Sequence, residues 1–173
     1  MSIQTIRAFA KEMNLPMTMI VTSPHFDSEK GRVTKGASVP NAGWKDKKRY
    51  EASNTKSVTV KGEKKEGTAW MLSLKPYRMY VIDVDVKNGL TYKDVMKPDV
   101  LENMLEHCKY AVVTGSSGIH FYFRYPELQE GETIKNVVKH DGLQNDLIKM
   151  EHHKDAEVDV IVDAIISECS SYT

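Results

Sequence analysis

The stretch Arg78-Met79-Tyr80-Val81-Ile82-Asp83-Val84-Asp85-Val86 decides how the rest of the chain is read. It is dominated by β-branched and apolar residues and runs into Asn88-Gly89, a turn signal, so it reads as a strand. Side chains alternate along a strand, which puts Asp83 and Asp85 on one face and Ile82, Val84 and Val86 on the other. Aspartate suits a strand centre poorly, and two on one face repel each other. A cation between them removes that conflict. Magnesium and manganese prefer carboxylate oxygen and keep positions open for phosphate. Taken alone, the pattern also describes a half-solvated sheet with an acidic outer face.

Working outward, Tyr110–Gly115 and Ile119–Tyr125 read as two strands joined by Ser116-Ser117-Gly118, hence a hairpin. Small residues in a tight turn expose backbone N–H groups and hydroxyls, a natural concavity for phosphate oxygens. His120 and Arg124 are four apart on the second strand and share a face. Histidine can donate a hydrogen bond to a triphosphate there, and arginine can bind one bidentately. A hairpin with an ordinary surface histidine is the plainer alternative. Glu157–Ser167 is again strand-like and carries Asp159, which either supplies a third carboxylate to the same site or is an isolated strand aspartate; Asp163 is on the same face by parity and is the weaker candidate. His152-His153 beside Asp155 reads as a charged, solvated surface rather than a metal cluster.

The flanks are less regular. Ile3–Met13 has a helical apolar stripe of Ile3, Ile6, Phe9 and Ala10, and residues 17–22 suit a strand. Residues 23–66 read as long polar loops with at most one short element, unusual enough in a compact domain to suggest function. Residues 68–74 form a further strand. A helix is expected from Lys97 or Pro98 to His107, with Val100, Leu101, Met104 and Leu105 inward. The segment 132–155 is ambiguous between strand and helix. Strands separated by a helix and closed by hairpins indicate a mixed α/β domain with a largely antiparallel sheet. Neither GxGxxG nor GxxxxGK[ST] occurs, so nothing supports a dinucleotide fold or an ATPase loop.

The chain has 173 residues, enough for one domain with a real core, and a hydrophobic share of 40% and charged share of 28% are ordinary for a globular protein. Cys108 and Cys169 form no CxxC, which excludes a zinc or disulfide framework and suits a reducing intracellular compartment. No run of about 18 apolar residues is present for a membrane span, and the N-terminus lacks a secretory h-region. The net charge of zero hides an asymmetry: residues 30–65 hold eleven Lys and Arg against Asp46, Glu51 and Glu63, about +8. That segment is either a solvated loop or a phosphate-contacting one. Trp44 within it either stacks on a base or anchors the loop.

In their order along the chain, these motifs resemble the archaeo-eukaryotic primase superfamily, and within it the bifunctional primase-polymerase domains. Some of those are fused to helicases in plasmids, phages and large DNA viruses. Val81–Gly89 matches the first motif, with Asp83 and Asp85. Gly115–Pro126 matches the second, with Gly118 or its serine neighbours at the small position and His120 as the nucleotide-binding histidine. Glu157–Ser167 resembles the third, with Asp159, and Gly43-Trp44-Lys45 resembles part of the family's N-terminal lobe. The resemblance covers about residues 35–172. Many relatives follow the third-motif aspartate with an arginine and a glycine-rich turn ending in a proline pair. Here those places read Ile161, Val162, Ala164, Ile165 and Ser170-Ser171.

The resemblance implies an RRM-like, largely antiparallel catalytic sheet (residues 67–173) beside a smaller N-terminal α/β lobe (residues 1–66), with substrate in the cleft between them. It implies that Asp83, Asp85 and Asp159 hold two Mg²⁺ or Mn²⁺ ions and act in catalysis with His120. Ser116, Ser117, Gly118, His120 and Arg124 would bind the incoming nucleotide, and the 30–65 segment the template or triphosphate. The expected activity is template-directed nucleotidyl transfer that makes or extends primers in DNA replication. Its partners would be a single-stranded DNA template and primer, NTP or dNTP, and a helicase on the same polypeptide. The chain is then expected to be the N-terminal domain of a viral or plasmid primase-helicase. Two alternatives stay open: a metal-dependent nuclease, and a catalytically degenerate domain that binds single-stranded nucleic acid.

Overall fold

The computed structural model describes residues 3–29, 32–38, 57–60, 62–66 and 69–168. In chain order these form α1 (Ile3–Glu12), β1 (Met17–Asp27), β2 (Arg32–Ser38), β3 (Ser57–Val60), β4 (Glu63–Glu66), β5 (Ala69–Ser73) and β6 (Met79–Val86). There follow α2 (Tyr92–Val95), α3 (Pro98–His107), β7 (Tyr110–Val113), β8 (Ile119–Arg124), α4 (Asp141–Leu147), β9 (Ala156–Ile161) and β10 (Ala164–Glu168). Short 3₁₀ turns occupy Lys75–Tyr77 and Met150–Asp155.

Strand β6 is apolar on one face throughout and apolar on half of the other, so it belongs inside a sheet. It lies there, in the order β7-β8-β6-β9, with every pairing antiparallel. The succession β6-helix-β7-β8-helix-β9, with β6 and β8 central, is a ferredoxin-like β-α-β-β-α-β unit, the arrangement an RRM-like sheet needs. Helices and antiparallel sheets make the whole a mixed α+β fold, as expected.

The two faces of this sheet are covered differently. Ile82 and Val84 join Ile119, Phe121 and Val158 beneath Val95, Met96, Met104, Leu147 and Ile148 from the helical segments. On the opposite face, Met79, Val81 and Tyr122 pack against Ile6 and Phe9 of α1 and against Leu72 of β5. Phe9 stacks on Tyr110 with ring centroids 4.5 Å apart. That cover reaches only one end of the second face. Asp83, Asp85, His120 and Asp159 lie beyond it.

The cover is built on a second sheet, ordered β10-β5-β1-β2 and antiparallel throughout. The chain therefore does not divide at residue 66 as expected. It leaves the second sheet after β5, runs through β6 to β9 in the first, and returns as β10. Two corners carry the crossings. One is the 3₁₀ turn after Leu74, which ends at Arg78 with φ of 57°. The other interrupts what reads in sequence as one strand over 157–167. At this corner Asn136 receives the Val162 N–H on Oδ1 at 2.7 Å. Its Nδ2 donates to Asp163 Oδ2 at 3.0 Å.

Three other expectations change. Residues 23–66 are not simply loops: β1 continues to Asp27, β2 pairs with it from Arg32 to Ser38, and β3 and β4 form a ribbon. The ambiguous 132–155 segment resolves into α4, the second 3₁₀ turn, and an extended piece bridging Val137 to Val160. In α3, Pro98 occupies the first turn and Met104 is buried, but Leu105 is 46% exposed. Leu105 falls at the edge of the stripe that Val100, Leu101 and Met104 define. Among the described residues no helix is long and apolar enough to cross a membrane.

Candidate metal centre

The register of β6 with its two neighbours assembles the site. Asp83 is paired with His120 of β8 on one side and with Asp159 of β9 on the other. Directly paired side chains on antiparallel strands point the same way and come within about 5 Å at Cβ. Asp85, two residues along, shares their face and is paired with Glu157. One carboxylate oxygen from each of Asp83, Asp85 and Asp159 lies within 4.8 Å of the others.

Several features of this arrangement favour positive charge beside it. Asp83 is 8% exposed, and its Oδ1 is buried with no hydrogen-bond partner. His120 Nε2 stands 3.2 Å from that oxygen, an ion-pair distance without hydrogen-bond geometry. The other ring nitrogen of His120, Nδ1, is likewise buried and unpartnered. Burial first, and then repulsion from Asp83, Asp159 and Glu157 against the opposing effect of His120, raises the Asp85 carboxyl to about 6. Asp159 is raised too, first by burial and then by its acidic neighbours, against a hydrogen bond from the Lys139 N–H. An unsatisfied buried oxygen on Asp83 and raised carboxyls on Asp85 and Asp159 fit a hard divalent cation, which binds carboxylate oxygen and removes the repulsion. The three aspartates can hold such an ion.

Glu157 is not one of the three clustered carboxylates. Lys87 Nζ holds its Oε1 at 2.6 Å, and Lys139 Nζ stands 3.7 Å from the same atom. These two lysines form a cationic border beside the carboxylates. Sequence reading missed them, because only the β6–β9 register places Glu157 beside Asp85.

The turn ahead of β8 sits against β6. A Cβ on Gly118 would overlap the Val84 carbonyl oxygen, so glycine is required by close approach of the two strands. Within the turn, Gly118 N–H donates to Thr114 Oγ1 at 3.0 Å and Ser117 N–H to Thr114 O at 3.0 Å. Those two N–H groups are spent internally. What Ser116 and Ser117 offer a ligand is chiefly hydroxyl, with Ser116 exposed and 3.2 Å from Thr114 Oγ1.

The remaining candidates separate from the cluster. Arg124 shares the face of His120 but is paired with Met79, roughly 13 Å along the strand. Tyr122 lies between them, fully buried under α1, and Arg124 is exposed beyond it. Asp163 sits in the corner between sheets, bonded to Asn136 and turned away from the site. The His152–Asp155 group is not a solvated surface. Asp155 is buried and accepts hydrogen bonds from Asn88 Nδ2 at 2.7 Å and from His152 Nδ1 at 2.9 Å. It pins the Asn88-Gly89 turn, whose two residues have φ of 61° and 73°. Trp44 and most of the basic 30–65 segment, including Lys45, Lys47, Lys48 and Arg49, lie outside the described residues.

Compared with known protein families, curated proteins and solved structures, the chain has no match. Its function is therefore read from the chemistry of the centre itself.

Proposed function

We propose that this chain is a metal-dependent, template-directed nucleotidyltransferase of the primase-polymerase kind, acting on single-stranded DNA and nucleoside triphosphates. The observation that carries the reading is the convergence of Asp83, Asp85 and Asp159 from two adjacent antiparallel strands, with His120 against Asp83.

Asp83, Asp85 and Asp159 would hold the divalent ions, Mg²⁺ or Mn²⁺. When bound, such ions lower the pKa of an attacking hydroxyl and stabilise the charge on a pyrophosphate leaving group. The protein's own groups supply the rest. The aspartates stay ionised and unprotonated toward the cation. His120, buried beside Asp83 on the next strand, would donate a ring N–H to a phosphate oxygen. Ser116 and Ser117 add hydroxyl donors at the mouth of the turn, and Lys87 and Lys139 give the border a positive potential that favours a polyphosphate. The apolar packing beneath β6 and β8 keeps these groups on a rigid sheet, as positioning of reactants requires.

A second reading, a domain that binds single-stranded nucleic acid without catalysis, is favoured by Ile161 and Val162, which stand where a basic residue follows the third-motif aspartate in many relatives. One assay separates the readings. Primed and unprimed single-stranded template is incubated with labelled NTP or dNTP and Mg²⁺ or Mn²⁺. The proposal expects strand growth that disappears in Asp83→Ala/Asp85→Ala while the far-UV spectrum is unchanged. Shortening of the strand supports a nuclease, and binding without incorporation under either metal supports the non-catalytic domain. Undiminished extension by the double variant in single turnover would sink the proposal.

A further inference from the structure

The outer edge of β9 is covered by residues 137–140. Val137 exchanges both backbone hydrogen bonds with Val160, at 2.9 and 2.8 Å, and His140 N–H donates to Val158 O at 2.8 Å. Between those fixed points two residues, Val138 and Lys139, face a single residue, Asp159. That count defines a β-bulge. The bulge leaves one N–H with no ladder acceptor, and Lys139 takes a φ of 52° to place it. Its N–H donates to Asp159 Oδ1 at 2.8 Å. A left-handed conformation is costly for lysine, which lacks the local side-chain bond that helps asparagine there. The segment is held at its far end as well, where His140 Nδ1 accepts the Leu143 N–H at 3.1 Å and caps α4.

We propose that Lys139 is a positioning residue for the metal centre. Its main-chain N–H, aimed by the bulge, fixes one oxygen of Asp159 and leaves the other for the cation. Its ammonium, with that of Lys87, draws Glu157 out of the ligand set. The inference rests on the metal-dependent reading above. It adds that the geometry of Asp159 is set by a strained backbone on the neighbouring segment. Outer partners of this kind typically change metal affinity by about 10–100-fold when lost.

The test compares Lys139→Asn with Lys139→Val. Asparagine tolerates positive φ and retains the aimed N–H, whereas a β-branched side chain disfavours that conformation. Both substitutions remove the ammonium, so their difference reports the main chain. Titration with Mn²⁺ alone, followed by calorimetry, should show weakening of about 10-fold or more in Lys139→Val relative to Lys139→Asn. Equal affinities overturn the positioning role and leave the metal centre standing. No Mn²⁺ binding by the unsubstituted protein overturns both. A second measurement covers a Lys139→Val chain that does not fold. Amide exchange at residue 139 should be slow in the unsubstituted protein and in Asp159→Asn, which keeps the acceptor, and fast in Asp159→Ala. Rapid exchange in the unsubstituted protein, or no difference between the two Asp159 variants, overturns the proposal.

Discussion

Asp85→Asn should stabilise the metal-free protein at neutral pH. The carboxyl of Asp85 is raised from 3.8 to about 6 by burial and by Asp83, Asp159 and Glu157. A raised folded-state pKa means that the native protein keeps its proton where the unfolded chain has lost it. Below about pH 3 both states are protonated and the group contributes nothing. Between about pH 4 and 6 the unfolded state ionises first and stability falls. Above about pH 6 both are ionised and the penalty is constant. Two pKa units correspond to about 3 kcal/mol. Asp85 keeps some contact with solvent, which screens part of that, so a penalty of about 1–2 kcal/mol is expected. In a chain of this size that is a rise of roughly 3–6 °C in Tm for Asp85→Asn at pH 7.5. The difference between variant and parent should shrink to a small part of its pH 7.5 value near pH 4. Mn²⁺ should raise the Tm of the parent at pH 7.5 and raise that of Asp85→Asn much less. Thermal melts followed by circular dichroism, at pH 4, 5, 6 and 7.5 with and without Mn²⁺, read all three effects. A variant no more stable than its parent at pH 7.5, or a gap independent of pH, would refute the electrostatic reasoning.

Gly118→Ala should cost about 1–3 kcal/mol in urea unfolding, because the added methyl meets the backbone of the central strand, which cannot yield as a side-chain tip can. Asn136→Ala should cost about 1–2 kcal/mol by leaving the buried corner at Val162 with an unpaired N–H, and equilibrium unfolding measures it. In the extension assay His120→Ala should lose roughly 100-fold or more in turnover, in line with loss of one charge-stabilising donor. Arg124→Ala should stay within about 2-fold of the parent, since Arg124 stands beyond buried Tyr122; a loss as large as that of His120→Ala would refute that placement.

Local pattern made the centre of the sheet readable. The alternation around Asp83 and Asp85 fixed their common face, and the hairpin pattern put the Ser116-Ser117-Gly118 turn directly ahead of the strand that carries His120. The pairing of that strand with β6 and the close approach that requires Gly118 show only in the fold. What stayed hidden depends on pairings between distant residues. The largely apolar run from Val160 to Ile165 is broken only by Asp163, which parity alone places on the same face as Asp159, yet the chain changes sheets there because β6 claims its first half and β5 its second. Arg124 has the right parity and the wrong distance. Glu157 and Lys139 gain meaning only from the register of β9. The polar residues of β1 and β2 concealed strands because their sequence carries no hydrophobic alternation to detect.

The return of β10 to the second sheet also governs the order in which the molecule can be made. That sheet pairs residues 17–20 with 69–72 and residues 69–73 with 164–168. All strands of the acidic sheet have been synthesised by residue 161, whereas its apolar cover still lacks an edge strand. On a ribosome the acidic surface can therefore form before the cover is finished, and β5 waits with an open edge beside Trp70 and Leu72. An unpaired apolar edge invites pairing with a second nascent chain. Long-range closure of this kind is slow relative to hairpin formation. Aggregation during expression should thus be set by how quickly the last strand docks, and mutations in Ala164–Glu168 should lower soluble yield before they touch metal binding.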